Sequence, residues 1–500
     1  MSSDSGALPP PAATGSMDDG GRQMGTFRLF SYFLPETSIL RRFRFQLVVF
    51  SRFCSEAGQE GVFYAALVQV SRDGSPLQAS MIGVAKMLPG AVLGLFGGAV
   101  ADALPRRVAL ALGYGIQAGA CIVLPFVFGT DFGAMLLLVL GVSTLNQLIG
   151  PTEKAVIPLV SSRKQISTAA SMLSLADSVA TGFGTAIMAP ILLLAFGAKA
   201  VFAVCAVFLG IAAFRILALP IQQDVTVRAA LRRLNLTSLD LGFRKALGWL
   251  LGWPAIVTML MVGMIVSIMN NIQSTLGPSY VEEVLNADPA KSVYVFAPAG
   301  IGTVIALAVT PKFLDKTGER WAAAMAVLIM SVALFMMAFI ARLAPILAPI
   351  SPMNLLRLVG IELSDEILAA GFVSMFTGFS VSMSSLAVQT YLNRRVPLIH
   401  QGRVFGLQSV FVNAAALIPM IIVGWLATQT SVKAVFFFVP WVVLAGLYGL
   451  LILASRWAGI EPMSRSQVVD SFWHEPENTG EPPLEPAGAT GESPASSATQ

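Results

Sequence analysis

Three ionisable residues stand four apart in the stretch "RFCSEAGQE": Arg52, Glu56 and Glu60. On an α-helix that spacing lines them along one face, about 12 Å from first to last. Such a stripe can hold an internal ion pair, Arg52 with Glu56, and leave Glu60 as a carboxylate able to exchange a proton. Residues 45–70 around it have the length and apolarity of a helix crossing about 30 Å of hydrocarbon. A charge at the centre of that helix costs at least roughly 2.5 to 3.5 kcal/mol if it faces lipid. The striped face must therefore look into protein or a wet cavity. Its chemistry is either proton coupling, with Glu56, Glu60 and Arg52 as the working groups, or a permanent ion-paired seam between helices. Two acids sharing one internal base favour coupling.

The elements that position the stripe follow from composition. Of 500 residues, 55% are hydrophobic and 12% charged, against about 25% charged in soluble domains. Apolar runs of helical length recur at 45–70, 79–101, 107–128, 133–157, 167–194 and 199–219, then at 253–277, 293–314, 321–342, 367–391, 404–428 and 432–456. The runs are continuous rather than alternating, so helices span the bilayer and not a barrel. The expected fold class is an all-α membrane protein of twelve transmembrane helices in two pseudo-symmetric six-helix halves.

Five regions follow. Residues 1–40 form an N-terminal tail rich in Gly, Pro and Ser, largely disordered and without the apolar core of a secretory signal. Residues 41–219 form the first half. Residues 220–252 form a linker whose "RAALRRLNLTSLDLGFRKALGWLLGW" has the pattern of an amphipathic surface helix. Residues 253–456 form the second half, and 457–500 an acidic, Pro-rich disordered tail.

Orientation follows from the basic residues. One set of alternate loops carries Arg106, Arg107, Arg163, Lys164, Arg228, Arg232, Arg233, Arg244, Lys245, Lys312, Lys316, Arg320, Arg394, Arg395 and Arg403. The opposite set carries only Arg72, Lys199, Lys291, Arg342, Arg357 and Lys433. The richer side is cytoplasmic, and both termini lie on it.

The two halves share landmarks. "GAVADALPRR" after the second run corresponds to "PKFLDKTGER" after the eighth, and "VIPLVSSRK" after the fourth to "RVPLIHQGR" after the tenth. Aligning Asp102 with Asp315 and Pro158 with Pro397 leaves a drift that one outer-loop insertion, 343–366, mostly explains. This pattern resembles the major facilitator superfamily, whose loop between spans 2 and 3 typically reads G-x-x-x-D-R/K-x-G-R-R/K. Gly98, Asp102, Arg106 and Arg107 match it, while Ala103 and Pro105 depart. The second copy keeps Asp315, Lys316, Gly318 and Arg320, with Pro311 in place of glycine. The resemblance implies a conformational switch at these residues. Physically, Gly98 lets a neighbouring helix approach closely, and Asp102 can pair with Arg106 or face a helix N-terminus, biasing one of two packings. The plainer reading of Arg106 and Arg107 is a topology anchor.

Within that superfamily "GPTEKAVIPLVSSRKQISTAASMLSLADSVA" and "NRRVPLIHQGRVFGLQSVFVNAAALIPMIIVGWLA" look like the branch of enterobactin-type siderophore exporters and macrolide efflux proteins. The resemblance covers most of 45–456 and implies a secondary active transporter working by alternating access. The expected activity is proton-coupled efflux of a hydrophobic or amphiphilic small molecule such as a drug or siderophore. Many such exporters carry G-P-x-x-G-G in span 5; here "TGFGTAIMAP" has Gly182 and Gly184 but no proline before Pro190. Uptake, or movement of a lipid-like solute, is the second reading. A membrane scaffold or sensor that does not transport is the reading from another class.

Asn146 and Gln147 in span 4, and Asn270, Asn271 and Gln273 in span 7, can hydrogen-bond a substrate or join helices. Lys86 in span 2 snorkels or pairs with an acid. The hydroxyls of "SMFTGFSVSMSS" in span 10 suit close helix packing. Partners are a small-molecule substrate, protons and the bilayer, with no nucleic acid, and the chain is expected to work as a monomer in a bacterial cytoplasmic membrane. No cofactor is expected. Two histidines, His400 and His474, cannot make a histidine metal site, and Cys54, Cys121 and Cys205 fall in spans rather than a disulfide framework. The phosphate loop G-x-x-x-x-G-K-[ST] and the hydrolase signatures H-E-x-x-H and G-x-S-x-G are absent, so the chain is not expected to be an enzyme.

Overall fold

A computed structural model of the chain describes residues 43–94, 106–160, 166–218, 248, 250, 253–358, 363–396 and 398–457. The expected N-terminal tail, the C-terminal tail beyond Trp457, Gly98 and Asp102 lie outside the described residues, as does the linker 220–252 apart from positions 248 and 250. All regular structure among the described residues is helical, and nine helical stretches there are long and apolar enough to cross a membrane.

The first half begins with α1 (Phe43–Asp73), which carries the charged stripe, and α2 (Pro76–Leu93). Gly74 and Ser75 separate them. Ser75 caps α2 reciprocally: its hydroxyl accepts from the Gln78 N–H at 3.4 Å and its own N–H donates to Gln78 Oε1 at 3.1 Å. Helix α3 (Arg106–Val123) runs into a π turn, Leu124–Phe128, and α4 is Phe132–Val160. Span 5 is α5 (Ile166–Phe183), a second π turn at Gly184–Met188 and α6 (Ala189–Phe196); α7 (Ala198–Leu217) follows. Gly129 and Gly197 turn the chain between neighbours at φ +92° and +82°, a region that only glycine enters cheaply.

The second half contains α8 (Pro254–Glu283), short α9 (Ser292–Phe296), α10 (Ala299–Thr317) and α11 (Glu319–Ala338). The insertion 343–366 is not an open loop in its described part: α12 (Ile340–Leu347), a 3-10 turn at Pro352–Asn354 and α13 (Leu355–Leu358) occupy it. Long helices α14 (Asp365–Arg395), α15 (Leu398–Gln429) and α16 (Val432–Trp457) complete the half.

One apolar core gathers side chains of α1 to α7, and two others are built chiefly from α8 to α16. Large apolar residues such as Leu112, Phe196, Phe214, Ile418 and Val442 are exposed, as lipid-facing positions should be. Across the two halves α2 packs along α15, where the Leu77 N–H donates to Thr428 Oγ1 at 3.0 Å. The span 10 hydroxyls satisfy backbone groups: Ser374 donates to the Gly371 carbonyl, Thr377 to Ser374 and Ser380 across to Ala326. The first two bonds lie within α14, and the third joins it to α11.

Candidate functional site

The stripe on α1 is clamped from two sides by backbone that approaches glycine. A Cβ on Gly184, in the π turn of span 5, would lie 2.5 Å from the Ala57 carbonyl oxygen. One on Gly58 would lie 3.3 Å from the Cys205 carbonyl of α7. Small residues at these crossings let α5 and α7 close on α1, and the residues flanking Ala57 and Gly58 are turned inward.

Arg52 gathers three acids. Its Nη2 lies 3.1 Å from Glu56 Oε2, one turn on, as the i,i+4 spacing predicts. Its Nε donates to Asp177 Oδ1 of α5 at 2.6 Å, and its Nη1 donates to Glu153 Oε2 of α4. Glu153 is buried, while Asp177 keeps about a third of its side chain exposed (34%). The cluster therefore pairs one guanidinium with three carboxylates.

Glu60 has a different partner. Lys86 Nζ of α2 donates to both carboxylate oxygens, at 2.7 and 2.9 Å, and stands 4.0 Å from the centroid of the Phe63 ring. Beside it Gln59 Nε2 donates to Gln117 Oε1 at 3.3 Å, and Gln117 donates to the Val142 carbonyl at 3.0 Å. These bonds tie α1 to α3 and α4.

A cavity of about 160 Å³ opens next to the Glu60–Lys86 pair, between α1, α2 and α4 on one side and α8 and α15 on the other. Asn146, Gln147 and Asn271 line it, with Gln59, Ser143 and Asn413. Val62, Phe63, Met87, Val139 and Val142 supply an apolar wall. Asn270 and Gln273 are not on that wall; Gln273 Nε2 instead donates to Thr377 Oγ1 of α14 at 3.3 Å. Sequence reasoning missed Glu153, Asp177 and Asn413. The signal for the two acids was present, since an ionisable residue inside a predicted span is a functional candidate by default.

Past the cavity, at the C-terminal end of α1, a second set of contacts joins the halves. Arg72 Nη2 donates to both oxygens of Asp288, at 2.7 and 3.0 Å. The Tyr64 hydroxyl is 2.8 Å from Ser292 Oγ, and Ser71 Oγ is 3.2 Å from Ser279 Oγ. Partial burial alone would raise the Asp288 carboxyl. Hydrogen bonds from Arg72 and the Ala290 N–H, with the charges of Arg72 and Lys291, outweigh it and hold the group below the usual aspartate range.

Of the first motif copy, Arg106 opens α3 and Arg107 is half-buried. In the second copy Gly318 links α10 to α11 at φ +83°. Arg320 donates to the Tyr391 hydroxyl at 3.2 Å, and Asp315 stands 3.9 Å from Arg394, which also donates to Glu319 at 2.6 Å. Lys316 is exposed. Among the described residues no group of His, Cys, Asp and Glu could hold a metal ion. Cys54, Cys121 and Cys205 are buried free thiols.

Comparison with protein families matches residues 48–364 to the Major Facilitator Superfamily. No curated protein matches the sequence. Among solved structures, the nucleoside transporter NupG superposes with a TM-score of 0.60 at 13% identity, covering 82% of this chain and 98% of that one. A POT family transporter in complex with 5-aminolevulinic acid gives 0.57 at 12% identity, over 83% and 96%. The peptide transporter POT in complex with sulfate gives 0.59 at 14% identity, over 83% and 94%. At such identities these likenesses establish a shared fold.

Proposed function

The chain belongs to the major facilitator superfamily, and from that premise we propose that this membrane transporter exchanges protons for an amphiphilic small molecule by alternating access. The moving bodies are the two six-span halves, and the cavity beside Glu60 is the substrate site. The excess of basic residues in one set of loops supports cytoplasmic termini in a bacterial cytoplasmic membrane, with a single chain as the working unit. In that orientation the Arg72–Asp288 contacts join the halves at the outer end.

One observation carries the coupling: Arg52 is shared by Glu56, Glu153 and Asp177 on three spans. Three carboxylates around one guanidinium in a low-dielectric bundle carry an excess negative charge that a bound proton relieves. Glu60, by contrast, is already balanced by Lys86. Protons are therefore stored at the Arg52 cluster, and Glu60, two turns along the same helix face from Arg52, communicates that state to the cavity. The mixed wall of carboxamides and valines suits a solute with a polar end and an apolar body. Export is the direction favoured by the resemblance of residues 150–180 and 393–427 to siderophore and macrolide exporters.

The test is proton release on adding a panel of amphiphiles to purified protein, comparing wild type with Glu56→Gln, Glu60→Gln, Glu153→Gln and Asp177→Asn. Release by wild type that disappears in a cluster variant supports coupling there. Equal ligand binding by all five proteins with no proton exchanged would sink it.

A further inference from the structure

We propose that Glu60 and Phe63 form a receptor for an organic ammonium group, and that Lys86 is the chain's own tethered occupant of it. The inference rests on the cavity being the substrate site and names the class of solute it takes.

The receptor is visible because it is filled. An ammonium, Lys86 Nζ, bridges both oxygens of Glu60 at 2.7 and 2.9 Å and sits 4.0 Å over the Phe63 ring. A carboxylate on one side and an aromatic face on another is a favourable setting for an alkylammonium ion. The occupant is replaceable. Lys86 reaches in on a flexible four-carbon stem, and its side chain is twice as exposed as that of Glu60, 34% against 16%. The cavity starts where the ammonium ends, so a free cation can approach as the lysine swings away. Its volume of about 160 Å³ compares with the roughly 150 Å³ apolar cavity that holds a benzene molecule. Val62, Val139 and Val142 offer such a group an apolar wall.

The surrounding charge selects the sign. In the ion pairs of the stripe and its partners, four carboxylates, Glu56, Glu60, Glu153 and Asp177, meet two cations, Arg52 and Lys86. The excess is negative, which attracts a cation and repels an anion that would take Lys86 from Glu60. A bound ammonium replaces Lys86 one charge for one, so the carboxylate is never left without a counter-ion.

The experiment measures binding of benzylammonium, of uncharged benzyl alcohol and of benzoate to the full chain in nanodiscs, by calorimetry and by the shift in Tm. Lys86→Gln should bind benzylammonium at least about tenfold more tightly than wild type, the gain from removing an occupant present about nine-tenths of the time. The same ligand should restore Tm lost by Lys86→Gln, while benzyl alcohol and benzoate should not. Glu60→Gln should lose benzylammonium binding, and Phe63→Leu should weaken it about 3- to 30-fold. Benzylammonium that neither binds nor stabilises Lys86→Gln overturns the proposal. So does benzoate binding to wild type that is lost in Lys86→Gln. A parallel flux assay separates the two readings. Tight benzylammonium binding without movement driven by a pH gradient removes the coupling and keeps the receptor; proton-driven flux of other solutes without benzylammonium binding does the reverse.

Discussion

Asp177 lies 125 residues beyond Arg52 in the chain, and its carboxylate accepts a hydrogen bond from Arg52 Nε at 2.6 Å. With Glu153 on the other edge of the guanidinium, that contact makes Arg52 the junction of α1, α4 and α5. Acids gathered from three helices respond to one another, so a change at any one alters the balance of the rest.

Arg52→Met should cost about 3 to 5 kcal/mol, the usual consequence of removing one partner from a buried ionic cluster. Adding Glu153→Gln to it should recover part of that loss. Folded fraction after mild heating in detergent measures both. A double variant no more stable than the single one would show that the two residues are not coupled.

The Arg72–Asp288 contact should depend on pH only in acid. The Asp288 carboxyl is held below its ordinary value of 3.8 in the folded protein. Its contribution is therefore complete at pH values above that and is lost as pH falls through the lower folded value. Thiol labelling of Ser279→Cys, a buried position beside Ser71, divided at each pH by the labelling rate of a free thiol to remove the thiolate's own titration, should be flat between about pH 7 and 5. Arg72→Gln should raise labelling across that range; unchanged labelling would show that the ion pair does not restrain this end.

Gly302 and Gly378 set the crossing of α10 and α14. A Cβ would come within 1.8 Å of the Met375 carbonyl oxygen at Gly302, and within 1.9 Å of the Ala299 carbonyl oxygen at Gly378. Alanine at either should destabilise by about 1 to 3 kcal/mol. Gly300→Ala, where nothing lies within 4 Å, should change stability by less than about 0.5 kcal/mol. Unfolding midpoints of the three variants decide the matter, and equal values would refute close packing as the cause.

Gly318→Ala should cost about 1 to 3 kcal/mol for a different reason. Its φ of +83° and ψ of 163° fall where only glycine is comfortable, and the space around it is open. Gly318→Ala and Gly318→Ser should therefore be equally destabilised, measured by the same midpoint, whereas a packing effect would grow with side-chain size.

Composition and the length of the apolar runs were enough to identify a helical membrane protein. The i,i+4 spacing was enough to put Arg52 beside Glu56, because contacts within one helix follow from its pitch. The motif copies were legible for the same reason: they are short, contiguous stretches. The partners of the stripe were not. Asp177 reaches Arg52 from span 5, which Gly184 lets close on α1, Glu153 reaches it from α4, and Lys86 of α2 meets Glu60 of α1. Asn146 and Asn271 line one cavity because α4 and α8 face each other across it, while Gln273, two residues from Asn271, faces α14. Local pattern determined which residues are helical and which face they share. Only the packing of noncontiguous helices decided which charges meet, because a helix pitch repeats along its own axis and carries no information about the neighbour it will cross.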